Sequence, residues 1–307
     1  MSVFKQDKLG WKGKGAIVLV VLLCLSALAS HIRFINPSPI VPPHSVHATP
    51  ECPVEANDIV AISYNIRMLP PLISAASPEH NMGRTAAIAS FLSSMNPRPD
   101  IIFFQEAWSP RIREQLMVWL GDFYPHTTDT GPEDAQRSFR RAVGAGLMVM
   151  SRFPIIDRHF ERFGVAAWTS ADLFADKGAL RVVLDVEGHN IEVVNLHLQA
   201  GDYPKVRAEQ LSVVERLAET AHLLVGDFNL DGREHLDFLV RFSDFYDAHI
   251  GSDVTSSDVW RDKRARLLDY VFSNKKLVGT CAQVLRGVYL SDHSPIMFRV
   301  TPGLKLK

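Results

Sequence analysis

The chain has 307 residues, enough for one large domain or two small ones, and its 47% apolar and 22% charged side chains give an ordinary globular balance. A formal net charge of −1 argues against a dedicated DNA binder, which is usually strongly basic, but leaves room for a nuclease with a local basic groove. Three cysteines are too few for a disulfide framework or a cysteine zinc cluster.

Lys5, Lys8, Lys12 and Lys14 precede an uncharged apolar run from Ala16 to Ala29, which His31 and Arg33 close. The run is short of the roughly 20 apolar residues of a spanning helix and suits the apolar region of a secretory signal. Ala27-Leu28-Ala29 before Ser30 fits a small-x-small cleavage site, while Ile32, Phe34 and Ile35 extend the stretch towards an uncleaved anchor. Residues 1–35 are therefore expected to be a signal peptide or a signal anchor. Either way the lysines stay cytoplasmic. The expected product is secreted, periplasmic or anchored by a single pass, with its catalytic domain outside the cytoplasm. Residues 36–57 carry six prolines and little core material, as a linker does. Cys52 and Cys281 are the cysteines outside the apolar run, and an oxidising compartment makes them candidates for a disulfide.

From Asp58 the pattern becomes strand, helix, strand. Ile59–Tyr64 and Ile101–Phe104 read as buried strands. Arg84–Met95 reads as a helix with Ile88, Phe91, Leu92 and Met95 on one face, and Ile112, Leu116, Trp119 and Leu120 form a second helical stripe. Further strands are expected at 146–151, 155–163, 180–186, 191–197, 222–226, 268–273, 281–286 and 295–300. A helix is expected from about Lys205 to Thr220. Strands outnumber helices and helices fall between strands, which implies an α/β (α+β) two-sheet β-sandwich flanked by helices. With no internal repeat and no second linker, residues 58–302 are expected to be one domain and the chain a monomer.

Polar residues gather at the strand ends. Asn65 closes the first strand, Glu106 follows the second, and His197 follows Val193-Val194-Asn195-Leu196. Asp227 and Asn229 follow Leu223-Leu224-Val225-Gly226, Asp269 sits in Leu267–Val271, and Asp292-His293 precedes the last strand. Each has a plain alternative. Gly-Asp-x-Asn is often only a turn, and Glu106 is placed to cap the helix near Ser109. The set as a whole points to a site on the rim of a rigid scaffold.

Ser63-Tyr64-Asn65-Ile66, Phe104-Gln105-Glu106, Asn195-Leu196-His197, Gly226-Asp227-Phe228-Asn229, Leu268-Asp269-Tyr270-Val271 and Ser291-Asp292-His293 resemble, in order, the motifs of the endonuclease/exonuclease/phosphatase superfamily, whose fold is DNase I-like. Glu106-Ala107-Trp108, the Lys-Gly loop Phe174–Leu180, His197-Leu198-Gln199-Ala200 and Val206–Leu211 are more narrowly similar to neutral sphingomyelinases.

The resemblance implies a metal-dependent phosphodiester hydrolase. Glu106, Asn65 and Asp292 would be ligands for Mg2+, or Mn2+, through hard oxygen atoms. Asp227 would be the general base, and Asn229 would orient the water or the phosphate. His197 and His293 would donate to phosphate oxygens as charge builds, with Asp269 fixing the imidazole of His293. Lys177 would either reach a substrate phosphate or headgroup or be a solvated loop lysine. The substrate expected first is sphingomyelin or a related phospholipid, with the N-terminus holding the enzyme at a membrane. Residues 251–266 depart from the aromatic hairpin of secreted bacterial sphingomyelinases, carrying only Trp260. The alternatives are a nuclease, using Arg137, Arg140 and Arg141 or Arg261, Lys263, Arg264 and Arg266 on nucleic acid, and an inositol-phosphate phosphatase.

Overall fold

Every residue of β1 (Ile59–Asn65) is buried, and its two faces serve different layers. Ile59 and Ala61 enter the space between two sheets, whereas Val60, Ile62 and Tyr64 lie under helices. A strand covered on both faces is apolar at successive positions, which is why it reads as a continuous run. A computed structural model describes residues 52–55, 57–69, 78–131, 143–250, 256–257, 266–277 and 279–301.

β1 runs parallel to β2 (Ile101–Gln105) and antiparallel to β12 (Ile296–Val300). With β3 (His126–Asp129), β4 (Met148–Ser151) and β11 (Cys281–Val284) they form a six-stranded sheet in the order β11-β12-β1-β2-β4-β3. The second sheet takes β5 (Ile155–Arg162), β6 (Gly178–Val186), β7 (His189–His197), β8 (Leu223–Asp227), β9 (Phe245–Asp247) and β10 (Asp269–Asn274) in the order β5-β6-β7-β8-β10-β9. Its parallel pair is β7 with β8. A parallel pair needs a crossover, and α1 (Pro78–Ser94) and α3 (Pro204–Ala218) supply the two required here.

Helices α1 and α2 (Pro110–Leu120) place Ile88, Leu92, Ile112 and Leu116 on the first sheet. Helices α3 and α4 (Gly232–Arg241) place Leu211, Val214, Phe238 and Phe242 on the second. Between the sheets, Phe103 stacks on Phe298 with centroids 6.1 Å apart, beside Val182, Val193, Val225 and Val271. Each such side chain contributes about 1.5–3 kcal/mol by leaving water. An amide pair crosses this layer. Gln105 Nε2 donates to Asn195 Oδ1 at 2.8 Å, and Asn195 Nδ2 donates to the Phe104 carbonyl at 3.1 Å, with both side chains fully buried.

The helix-flanked sandwich matches the sequence expectation, and each expected strand is found within a few residues. The structure adds β3, β9 and α4. The first is His-Thr-Thr-Asp, without an apolar stripe, and the second is only three residues long. Asp231 and Glu234 form a capping box at the start of α4, a signal present in the sequence. Helix α1 begins at Pro78, ahead of Arg84, since proline at a first turn sacrifices no helical hydrogen bond. The expected signal or anchor, most of the linker, Arg137, Arg140, Arg141, Trp260, Arg261, Lys263 and Arg264 lie outside the described residues. Among the described residues no helix is long and apolar enough to cross a membrane.

Cys52 and Cys281 are joined, with Cα atoms 5.9 Å apart, so the segment before β1 is tied to β11. Both should resist a thiol reagent in denatured, unreduced protein and react after reduction. Cys52→Ser should lower unfolding stability by about 2–4 kcal/mol, the usual contribution of a bond closing a long loop. Labelling of both without reduction would refute the pairing.

Gly226 precedes Asp227 with φ +134°, and a Cβ there would lie 2.1 Å from the Leu196 carbonyl oxygen on the neighbouring strand. Only glycine permits this conformation and approach. Gly226→Ala should therefore cost at least about 2 kcal/mol, read as a lower melting temperature. An unchanged melt would show that the strand pair yields without cost.

Candidate active site

Both parallel pairs end at one edge of the sandwich. In the second sheet, His197 pairs in register with Asp227, and Asp227 with Asp269. In-register neighbours share a sheet face, so one pairing pattern aligns an imidazole and two carboxylates. The first sheet brings Asn65 from the end of β1 and Glu106 from just past β2. Asn65 Nδ2 donates to Asp227 Oδ2 at 2.9 Å and Glu106 Oε1 at 3.1 Å, so one amide spans the two sheets. Its Oδ1 accepts from the Arg67 N–H at 3.0 Å.

Four non-glycine residues among those described have positive φ, and three of them, Arg67, Glu106 and Asn229, belong to this edge. Such conformations cost about 1–3 kcal/mol each and persist where the surroundings enforce them. Glu106 is turned back towards Asn65, and Trp108 Nε1 reaches its Oε2 at 3.4 Å. Trp108 lies against Gly146, where a Cβ would come within 2.8 Å of the indole. The hydrogen bonds of the Glu106 carboxylate go to Asn65 and Trp108, so it serves the site and not the start of α2.

Asp227 is nearly inaccessible. Burial and the neighbouring Asp269 carboxylate raise its carboxyl to about 7, against the opposing pull of His293, Lys177 and the Asn65 hydrogen bond. Its Oδ1 accepts from the Asn229 N–H at 3.0 Å. His293 stands on its other side, with Nε2 3.9 Å from Asp227 Oδ2 and Nδ1 2.7 Å from Asp269 Oδ2. Burial alone would lower the imidazole's affinity for a proton, but the fields of Asp269 and Asp227 and the Asp269 hydrogen bond raise it well above the usual value. This is the Asp269–His293 pair expected from the motifs.

His197 behaves in the opposite sense. Burial, Lys177 and His293 hold its pKa well below the ordinary value. Its Nε2 lies 3.4 Å from Asp227 Oδ2, a contact that would favour charge. The Lys177 ammonium, however, sits 2.9 Å from that same nitrogen, a cation beside the ring that opposes its protonation. Lys177 is neither solvated nor extended. It is buried, pairs with Asp172 Oδ2 at 2.8 Å and donates to the Leu198 carbonyl at 2.8 Å. Asp172 also receives Gln199 Nε2 and the Ala200 N–H, fixing the Lys-Gly loop to the loop after β7.

Asp292, expected as a metal ligand, pairs with Arg67 through its Oδ2. Two groups of metal-capable side chains converge among the described residues, Glu106 with His197 and Asp227, and Asp227 with Asp269 and His293, and neither includes Asp292. The first group suits a hard cation. Lys177 engages the His197 nitrogen, so the donors facing the space beside Asn65 are carboxylate oxygens. Sequence reasoning missed Arg67, Asp172 and Arg84. The buried Arg84 guanidinium donates to the carbonyls of Ile66, Arg67 and Leu290, clamping the loop after β1 to the one that carries Asp292 and His293.

Comparison with known proteins bears on the fold and the family. The chain is 25% identical over 245 residues to "Sphingomyelinase C 2" of Leptospira interrogans, covering 72% of this chain and 38% of that protein. It is 27% identical over 172 residues to a "Sphingomyelinase C" of the same species, covering 50% and 30%. The aligned part thus spans well under half of either relative's length. Among solved structures, sphingomyelinase C from Streptomyces griseocarneus superposes with TM-score 0.65 at 21% identity, covering 79% of this chain and 99% of that one. A beta toxin variant from Staphylococcus aureus with bound magnesium ions gives 0.67 at 21%, covering 79% and 99%. The sequence model of the Endonuclease/Exonuclease/phosphatase family matches residues 62–293, from within β1 to His293. The chain belongs to the endonuclease/exonuclease/phosphatase family, close to its sphingomyelinase-like members.

Proposed function

We propose that the chain is a divalent-cation-dependent phosphodiester hydrolase acting on a phospholipid, in the manner of a sphingomyelinase or phospholipase C. The observation that carries this reading is the position of Asp227. It stands between the Asn65–Glu106 group and the Asp269–His293 pair, within reach of both. A cation site, a proton acceptor and a charged hydrogen-bond donor therefore meet at one edge.

The residues divide the work. Glu106 would hold Mg2+ or Mn2+, with Asn65 Nδ2 orienting its carboxylate and that of Asp227 in place of the oxygen ligand expected of Asn65, and the cation supplies Lewis-acid stabilisation of phosphoryl oxygen charge when bound. Asp227 accepts the proton of the attacking water. Its raised affinity for protons makes it a better base near neutrality than an exposed carboxylate. The Asn229 N–H fixes the direction of that carboxylate. His293, held protonated, donates from Nε2 to the phosphate as negative charge accumulates. Lys177, beside His197 Nε2 and bonded to the Leu198 carbonyl, adds a positive field on Asp227. The phospholipid class draws support from the names of the relatives and from the His197–Ala200 and Lys-Gly loop motifs. Delivery across a membrane by residues 1–35 belongs to the same proposal.

Hydrolysis should vanish in EDTA and return with Mg2+ or Mn2+, so full activity after dialysis against EDTA would exclude a required cation. Offered sphingomyelin, phosphatidylcholine, plasmid DNA and inositol phosphates side by side, the protein should cleave a phospholipid at the highest kcat/KM. A preference for plasmid DNA would favour the nuclease alternative instead.

His293→Ala should reduce turnover by about 10²–10³, the range for losing one transition-state donor. Asp269→Asn should do less, because it misorients the ring without removing it. The double variant should be little worse than His293→Ala, since residues acting as one unit are not additive. A folded His293→Ala protein, checked by circular dichroism, with near-normal turnover would overturn the assignment.

A further inference from the structure

We propose that Ser256 is a positioning residue for the Asp269–His293 pair, its hydroxyl fixing the carboxylate against which the imidazole is held. The proposal rests on the assignment of that pair in the preceding reading.

Ser256 is fully buried, and its Oγ accepts from the N–H groups of Leu268 at 3.0 Å and Asp269 at 3.1 Å. A hydroxyl has two lone pairs and one proton. With both lone pairs taken by backbone donors, the proton has one direction left, and Asp269 Oδ2 lies there at 2.6 Å. The same Oδ2 receives His293 Nδ1 at 2.7 Å. Two donors on one oxygen set the plane of the carboxylate, leaving Asp269 no freedom to turn from the ring.

The backbone around Ser256 serves the same end. Its N–H donates to Arg266 O at 2.9 Å, and its carbonyl accepts from the Ser294 N–H at 2.7 Å. Ser257 bridges to His293 in antiparallel fashion, and its Oγ donates to Arg266 O at 3.1 Å. Residues 256 and 257 thus join the start of β10, which carries Asp269, to the loop that carries His293. A seryl group that only satisfied two backbone N–H groups would not need its proton on the one carboxylate oxygen that orients the ring.

The test compares Ser256→Ala, Ser256→Thr and Ser256→Cys in wild-type and Asp269→Asn backgrounds, with Mg2+ and a phospholipid substrate. Ser256→Ala should lower kcat about tenfold, within the range for a partner of an active-site side chain, with little change in KM. Ser256→Thr, which keeps the hydroxyl, should retain most of kcat. In the Asp269→Asn background Ser256→Ala should add little, because its partner is already gone. If Ser256→Ala fails to fold, Ser256→Cys, with its weak donor, is judged by the same criteria. A lower melting temperature with kcat intact, or an equal loss of kcat in both backgrounds, overturns the proposal. The His293 Nδ1 proton provides a readout independent of turnover. Its NMR resonance should move upfield both in Asp269→Asn and in Ser256→Ala, and an unmoved resonance in Ser256→Ala overturns the proposal. If the wild-type protein cleaves none of the phosphodiesters but Ser256→Ala still moves the resonance, the hydrolase reading fails and the positioning claim stands.

Discussion

A buried carboxylate governs this molecule. Taking the Asp227 side chain out of water is costly unless donors surround it, and the donors come from well-separated parts of the chain. Asn65 arrives on β1 and the Asn229 N–H lies just beyond β8 as hydrogen-bond donors, while Lys177, leading into β6, and His293, before β12, act on the carboxylate through their fields. The two sheets are therefore joined by a polar requirement as well as by the apolar layer between them. Removing any one donor leaves negative charge less compensated, and the cost falls on the arrangement that would bind substrate. Glycine at position 226 is part of the same demand, since the strand must pass close to Leu196 to deliver the carboxylate to this edge.

Strand pairing does most of the positioning. His197, Asp227 and Asp269 come from three adjacent strands in direct register, so no long loop has to be ordered to align them. The loops that do contribute are fastened by buried groups. Arg84 grips the carbonyls of the loops bearing Asn65 and His293, and Asp172 gathers Lys177, Gln199 and the Ala200 N–H. Groups held this firmly need little reorganisation when charge develops, which is the usual basis of electrostatic catalysis.

The parts of the fold that were legible in the sequence are those whose side chains face apolar layers. β1, β2, β7 and β8 announce themselves because both of their faces are covered. β3 does not, since its four residues are only half-buried and carry no apolar pattern. The strand-end residues Asn65, Glu106, Asp227, Asp269 and His293 were readable because their motifs are local. Partnerships between distant residues were not. Nothing near Asp292 in the chain signals that Arg67 would take its carboxylate, 225 residues away in sequence. Nothing in Thr255-Ser256-Ser257 distinguishes the middle residue. Lys177 was ambiguous for the same reason, because its burial depends on Asp172 and on the carbonyl of Leu198.

The amide pair of Gln105 and Asn195 has a consequence for how the two sheets can dock. Apolar side chains tolerate sliding, and two layers of valine and isoleucine offer several near-equivalent stackings. An amide dipole facing another at 2.8 Å does not. Any slip of β2 against β7 by one residue would break the bond between the two amides and strand the buried Asn195 carbonyl, at about 1–3 kcal/mol. The pair therefore acts as a key. It adds little to the depth of the folded state, yet it rejects competing alignments, and it lies one residue from Glu106 and two from His197. Shape selection by the core and assembly of the catalytic edge are in this way the same event.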